Sequence, residues 1–367
     1  MKKLEDKMPL LLKNRYDENY INILNDSILC TFPAFDTKNF KKIIFDESWD
    51  KKELKQRMRH ISTTLYDFLP KEFENSSKIL QNTYSKMDQT LSLENTIFQD
   101  FVGLYGLDHF EISMKALAFF TINSTSEFAI RQFLLEYPIQ TITQMKLWAQ
   151  SKDHQIRRLA SEGCRPRLPW GIALVSYKKD PSDILELLEI LKDDESLYVR
   201  KSVANNLNDI SKDNPHILKQ IAKKWLGNND KRDWIIKHGC RTLLKNADQD
   251  IMQLFGFGPH ETLSIEQFII SDKVKMGENL DFTFVLTDSK NLGKIRIEYA
   301  LDFVRLKNKC SKKVFKIAEG IYTQKSKKIK KYYSFKPIST RKYYPGIHQI
   351  SIIVNGVVLA IKEFTLV

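Results

Sequence analysis

From residue 1 to about residue 260, apolar positions recur at the 3.6-residue spacing of a helix, in segments such as 50–71 and 184–191 separated by short loops. That pattern predicts helices. From about Glu261 to Val367 the period falls to 2, and LSIEQFII, LDFTFVLT, KIRIEYALDFVRL, KKVFKIAEGIY, KIKKYYSF, HQISIIVNG and VVLAIKEFTLV read as about seven strands joined by GEN, DSKN and NG turns. The glycines and proline of FGFGPH, Phe255 to His260, punctuate the change.

Within the helical part a weak repeat is visible: Ser126 to Arg131 (SEFAIR), Asp153 to Ala160 (DHQIRRLA), Glu195 to Ala204 (ESLYVRKSVA) and Lys231 to Ile236 (KRDWII), spaced by about 26, 43 and 36 residues. Helix pairs with such a period, each opened by Asp or Ser before an apolar step, are the pattern of a HEAT-like solenoid, whose stacked repeats leave a concave face suited to an extended ligand. The expected fold class is multidomain α + β. A HEAT-like repeat α-solenoid should occupy residues 1–258 and a small all-β immunoglobulin-like sandwich residues 261–367.

Charge changes this picture next. The chain has 367 residues and a formal net charge of +13, with 42% hydrophobic and 28% charged residues. After residue 260, 20 Lys and Arg stand against 10 Asp and Glu, so most of the excess falls on the sandwich. It gathers in KNKCSKK (Lys307 to Lys313), KSKKIKKYY (Lys325 to Tyr333) and TRKYY (Thr340 to Tyr344), where tyrosines interleave the lysines. Such an excess favours a polyanionic partner, because each phosphate neutralised releases a counterion. A membrane surface and a merely solubilising surface are the competing readings of the same charge.

No apolar run reaches the roughly 18 residues of a spanning helix, and MKKLEDKMPLLLKNRYDE interrupts its short apolar stretch with charge, so a cytoplasmic protein without a membrane partner is expected. Cys30, Cys164, Cys240 and Cys310 are scattered without a CxxC pair. No HExxH, GxGxxG or GxxxxGK[ST] occurs, so metal, dinucleotide and P-loop chemistry are not expected, and no cofactor is assigned.

The candidate chemistry lies between Trp148 and Pro215. Asp153, Asp194, Arg157 and Arg200 fit the caps and inter-repeat ties of a solenoid. Glu162 is different, since it stands just before Gly163 at a helix C-terminus, where an acid opposes the macrodipole; Asp209 ends the next such helix in the same way. Acids in unfavourable places are as consistent with function as with a nearby arginine that satisfies them. Trp170 closes the stretch RPRLPW, in which Pro166 and Pro169 stiffen a loop carrying Arg165 and Arg167. It could stack on a base or pack between repeats. Trp148, Trp225 and Trp234 have the spacing of core residues.

The segments SEFAIRQFL (Ser126 to Leu134), RRLASEGCRPRLPWG (Arg157 to Gly171), SLYVRKSVANNLNDISKDNP (Ser196 to Pro215) and WIIKHGCRTLLK (Trp234 to Lys245) resemble the bacterial DNA alkylation repair glycosylases of the AlkC type, relatives of the AlkD type. The likeness is specific over residues 100–260 and general in the N-terminal helices. The basic sandwich is similar to the immunoglobulin-like domain of one AlkC subgroup. Gln132 stands where a proline is usual.

This resemblance implies hydrolytic excision of 3-methyladenine and 3-methylcytosine from duplex DNA, without full flipping of the lesion. It implies a site made of Glu127, Glu162, Asp209 and Trp170, with Asp209 and Glu162 as the electrostatic and water-activating pair. Arg165, Arg167, Arg200, Arg241 and Lys245, together with Lys327, Lys328 and Lys330 of the sandwich, become the expected DNA contacts. A monomer is expected of an enzyme that wraps DNA with two of its own domains. Nothing in the sequence singles out a lysine for Schiff-base chemistry, so a monofunctional glycosylase is expected. The rival readings are a non-catalytic HEAT-like protein that binds nucleic acid or a protein partner, and an RNA-binding repeat protein.

Overall fold

In the computed structural model, residues 11–258, 261–305, 310–338 and 341–367 are described. Pro259 and His260 of the FGFGPH boundary, Lys307 and Lys309 of the first basic run, and Thr340 of the third lie outside them. The described chain is helical up to Leu254 and stranded from Ser264 onward. It divides into two compact units: residues 1–218 with 225–239, and residues 219–224 with 240–367. The short helices Arg241–Lys245 and Gln249–Leu254 therefore belong with the strands.

In the first unit the helices form packed rows. Leu54–Phe68 lies on Thr96–Tyr105, His154–Gly163 on Leu197–Ile210, and Leu197–Ile210 on Asp230–Gly239. Their apolar stripes, such as Val199, Val203, Leu207 and Ile210, are almost completely buried, as the 3.6-residue period requires. Caps come from the expected residue types: Asp17, Asp36 and Asp153 each accept a backbone N–H of the helix they precede. Trp148 and Trp225 are core residues, whereas Trp234 is 36% exposed and stacks on His238 at 5.1 Å.

The ties between repeats are specific. Arg157 donates Nε and Nη2 to Asp194 at 2.6 and 3.0 Å and Nη1 to the carbonyls of Ser151 and Lys152 at 2.9 Å. Arg232 pairs in the same forked way with Asp193. Two consecutive acids thus reach one repeat back and one repeat forward.

Among the described residues the second unit holds eight strands: β1 (Ser264–Ile270), β2 (Lys273–Val274), β3 (Asn279–Thr287), β4 (Gly293–Val304), β5 (Cys310–Tyr322), β6 (Ser326–Ser334), β7 (Gly346–Val354) and β8 (Val357–Leu366). Each of the seven stretches read from the sequence contains a strand, and the two-residue β2 is the addition. The sheets run β1-β3-β6 and β2-β8-β7-β4-β5, antiparallel except where β2 meets β8. Phe282, Phe284, Leu286, Ile295, Ile297, Ile350 and Ile352 form the core. Asn355 and Gly356 turn β7 into β8 with φ of +47° and +81°, the left-handed pair that an Asn-Gly hairpin supplies.

Candidate functional site

Helix ends and loops of the first unit converge on a cavity of about 690 Å³ lined by Glu127, Arg158, Glu162, Arg165, Trp170 and Tyr198, among others. Glu162 is placed by the last turn of His154–Gly163, which approaches its neighbour so closely that a Cβ on Gly163 would sit 2.6 Å from Ile130 Cγ2. That helix is stitched to Leu197–Ile210 by a Ser161–Ser202 hydroxyl bond of 2.6 Å and by Asn206 Nδ2 donating to the Ser161 carbonyl at 2.9 Å. Glu127 stands in the turn before Ile130–Glu136, its carboxylate within hydrogen-bond reach of the Thr125 hydroxyl at 2.8 Å.

Arginines organise these acids. Arg158 ion-pairs Glu127, donates to Thr125 Oγ1 at 2.9 Å, lies 3.5 Å from Glu162, and rests its guanidinium over the Tyr198 ring at 5.0 Å. Arg165 donates Nη1 to Glu162 at 2.6 Å and Nε to Asp209 at 2.8 Å. Burial disfavours the charge on both guanidinium groups, but the carboxylates outweigh it and raise both above ordinary arginine: Glu127 and Glu162 for Arg158, Glu162 and Asp209 for Arg165. Lys212 Nζ donates to the other Asp209 oxygen at 2.9 Å. The result is an alternating chain of charges, Glu127, Arg158, Glu162, Arg165, Asp209, Lys212, in which each carboxylate is partnered.

This arrangement refines the expected site. Glu127 and Glu162 are the acids on the cavity wall, rather than Glu162 and Asp209. Asp209 is 1% exposed, is not among the described residues that line the cavity, and is joined to it through Arg165. Arg165 is itself buried and committed to two carboxylates, so in this state it is not the free surface cation that a phosphate contact needs. Arg200 spends Nη1 on the Asp194 and Glu195 carbonyls at 2.9 and 2.8 Å, the role of a repeat tie. Arg167 lies at the surface in a forked pair with Asp213. Arg241 and Lys245 fall in the second unit. There too, Lys328 and Lys330 project from the exposed face of β6, and Lys327 stands over the Tyr322 ring at 4.6 Å.

Trp170 is 65% exposed and lines the cavity. Beside it is Lys55, from the helix Leu54–Phe68, donating to the Trp170 carbonyl and standing over the Phe128 ring at 4.2 Å. Burial lowers the Lys55 pKa, with Asp100 and Glu127 acting against that shift. Sequence reading missed Lys55, Arg158 and Tyr198. Arg158 carries a local signal, four residues before Glu162 on one helix face; Lys55, more than a hundred residues from Trp170, carries none. Among the described residues no three of His, Cys, Asp and Glu are grouped to hold a metal ion, and no helix is long and apolar enough to cross a membrane.

Comparison with known proteins places these features. A family model described as DNA alkylation repair enzyme matches residues 118–243, which contain Glu127, Glu162, Trp170 and Asp209. A second, described as the C-terminal Ig-like domain of uncharacterised protein YhaZ, matches residues 264–367. Uncharacterized protein YhaZ of Bacillus subtilis strain 168 is 44% identical over 96% of this chain and 98% of its own length. The Pseudomonas fluorescens alkylpurine DNA glycosylase AlkC, solved bound to DNA containing an abasic site analog, is 32% identical with a TM-score of 0.92, over 97% of this chain and 99% of that one.

Proposed function

Because the chain belongs to the AlkC-type family of DNA alkylation repair glycosylases, in the subgroup with a C-terminal immunoglobulin-like domain, we propose that it removes N3-alkylated bases, 3-methyladenine and 3-methylcytosine, from duplex DNA by hydrolysing the N-glycosidic bond. The observation that carries this reading is the meeting of Glu127, Glu162 and an exposed Trp170 on one cavity.

A base methylated at N3 is a cation. When its bond to C1′ breaks, the electron pair stays on the base and neutralises it, so the leaving group needs no proton. The demand falls on the sugar, which develops oxocarbenium charge. Two oriented carboxylates at the cavity wall stabilise that charge and accept the proton of the water that attacks C1′. Arg158 holds Glu127 and Glu162 in place for this task, and Asp209 contributes through Arg165. The Trp170 face attracts the cationic lesion by about 1–2 kcal/mol when water is excluded, a preference for charged over neutral bases. An exposed Trp170 on the cavity wall suits a lesion left partly in the helix, without full flipping.

The test is excision from methylated duplex DNA. The wild-type protein should release 3-methyladenine and 3-methylcytosine and leave an intact strand with an abasic site, while Glu162→Gln should lose on the order of 10²–10³ in rate, with Asp209→Asn also impaired and DNA binding kept in both. No excision by the wild-type protein would sink the reading in favour of a binding scaffold. A borohydride-trapped adduct at Lys55, a lysine that lines the cavity, would replace simple hydrolysis with a lyase.

A further inference from the structure

The backbone at Trp170 stands at φ +63°, in the left-handed region that a bulky residue avoids. Packing of the side chain does not hold it there, since Trp170 is 65% exposed. Something else in the structure must fix this conformation.

Two cations do. Arg131, fully buried, donates Nε to the Ile172 carbonyl at 2.6 Å and Nη1 to the carbonyls of Gly163 and Arg165 at 2.8 Å, gripping both ends of the loop that carries Trp170. Its Nη2 is buried without a partner among the described residues, and burial lowers its pKa to about 10. A buried guanidinium solvated by carbonyls alone is a costly device for packing, and its use here marks a loop whose shape matters. Lys55 completes the hold at the middle of the loop. Its ammonium donates to the Trp170 carbonyl itself, with the Phe128 ring beneath it at 4.2 Å, while the rest of the loop closes on itself through Gly171 N to Leu168 O at 3.1 Å and Leu174 N to Pro166 O at 3.2 Å.

We propose that Lys55 is a positioning residue of the lesion site: by holding the Trp170 carbonyl it fixes the left-handed turn that aims the indole into the cavity. The inference rests on the excision reading above and extends it, because Lys55 lies far outside residues 118–243 and makes an N-terminal helix part of the site. Arginine at position 55 keeps a cationic donor and a ring contact; methionine keeps the length and an apolar contact with the ring but loses the cationic donor.

The deciding experiment is a double-mutant cycle on a duplex carrying a single 3-methylcytosine, with hydrogen exchange of residues 165–174 measured on the same proteins without DNA. Lys55→Met should slow single-turnover excision about tenfold, as Trp170→Leu does, and the double variant should lose little more than either, since both remove one oriented indole. Lys55→Arg should recover most of the rate. Exchange at the Gly171 and Leu174 amides, which donate to the Leu168 and Pro166 carbonyls, should rise in Lys55→Met, with the thermal midpoint close to wild type. Additive losses in the cycle, or unchanged loop exchange in Lys55→Met, would overturn the assignment. If the wild-type protein excises nothing, the functional reading fails by itself and the exchange measurement still decides whether Lys55 holds the loop.

Discussion

Arg165 and Arg167 are two residues apart in one stiff loop, yet the fold gives them opposite fates. Arg165 is buried between the carboxylates of Glu162 and Asp209, while Arg167 meets Asp213 at the surface, its side chain 38% exposed. Removing one member of a buried network strands the charges it served, so Arg165→Gln should cost about 3–5 kcal/mol of unfolding free energy. Arg167→Gln, at a screened surface pair, should cost about 0–1 kcal/mol. Urea unfolding of the two variants checks this, and equal losses would mean that the acids are held by something other than Arg165. The RPR motif could not announce the difference, because it depends on which partner faces each side chain across 44 and 46 positions of sequence. What the sequence did reveal was the oddity of Glu162 and Asp209 as acids at helix C-termini. Their justification, a shared arginine, is long-range and became visible only in the fold.

At the scale of elements, consecutive Asp193 and Asp194 join three repeats by accepting Arg232 from one side and Arg157 from the other. The hydrogen bond from Arg232 is the main cause that lowers the Asp193 pKa below its usual 3.8. A depressed folded-state pKa means that the carboxylate contributes stability above the unfolded value and loses it as pH falls through the folded one. The destabilisation caused by Arg232→Gln should therefore be present at neutral pH and shrink below pH 3.8, as the wild-type ion pair titrates away. Urea midpoints of wild type and variant measured across that range should converge; a constant gap would assign the effect of Arg232 to packing. Such ties follow from a legible pattern, since the recurring acid-apolar-arginine starts expose the repeat. Alternation likewise exposed the strands, because Leu280, Phe282, Phe284 and Leu286 of β3 all face one core. The two-residue β2 was not readable, being too short to show any period and defined only by its pairing with β8. Nor was the attachment of the helices after Cys240 to the sandwich unit, which depends on tertiary contacts such as Asn355 Nδ2 donating to the Gly258 carbonyl at 2.9 Å.

For the whole molecule the open question is what the charge of +13 is for. Deleting residues 261–367 is a poor way to ask. A Cβ on Gly356 would already come within 2.8 Å of Ala247, so deletion would strip the partner surface from the preceding helices and confuse missing charge with impaired folding. Strand β6 offers a cleaner test. Among the described residues it is an edge strand, paired with β3 alone, and Lys328 and Lys330 project outward opposite Val285 and Thr283. Lysines in that position have two physical uses: they keep an edge from pairing with another chain, or they neutralise phosphates. The uses separate in salt. If both lysines touch the DNA backbone, the joint change Lys328→Gln with Lys330→Gln should weaken binding and make the slope of log K against log salt shallower by about 1.8, at roughly 0.9 for each phosphate no longer neutralised. The weakening should be the same for methylated and unmethylated duplex, since phosphates carry no base identity. If the lysines guard the edge instead, the slope will stay at its wild-type value while the variant becomes more prone to self-association, measurable by sedimentation of the DNA-free protein.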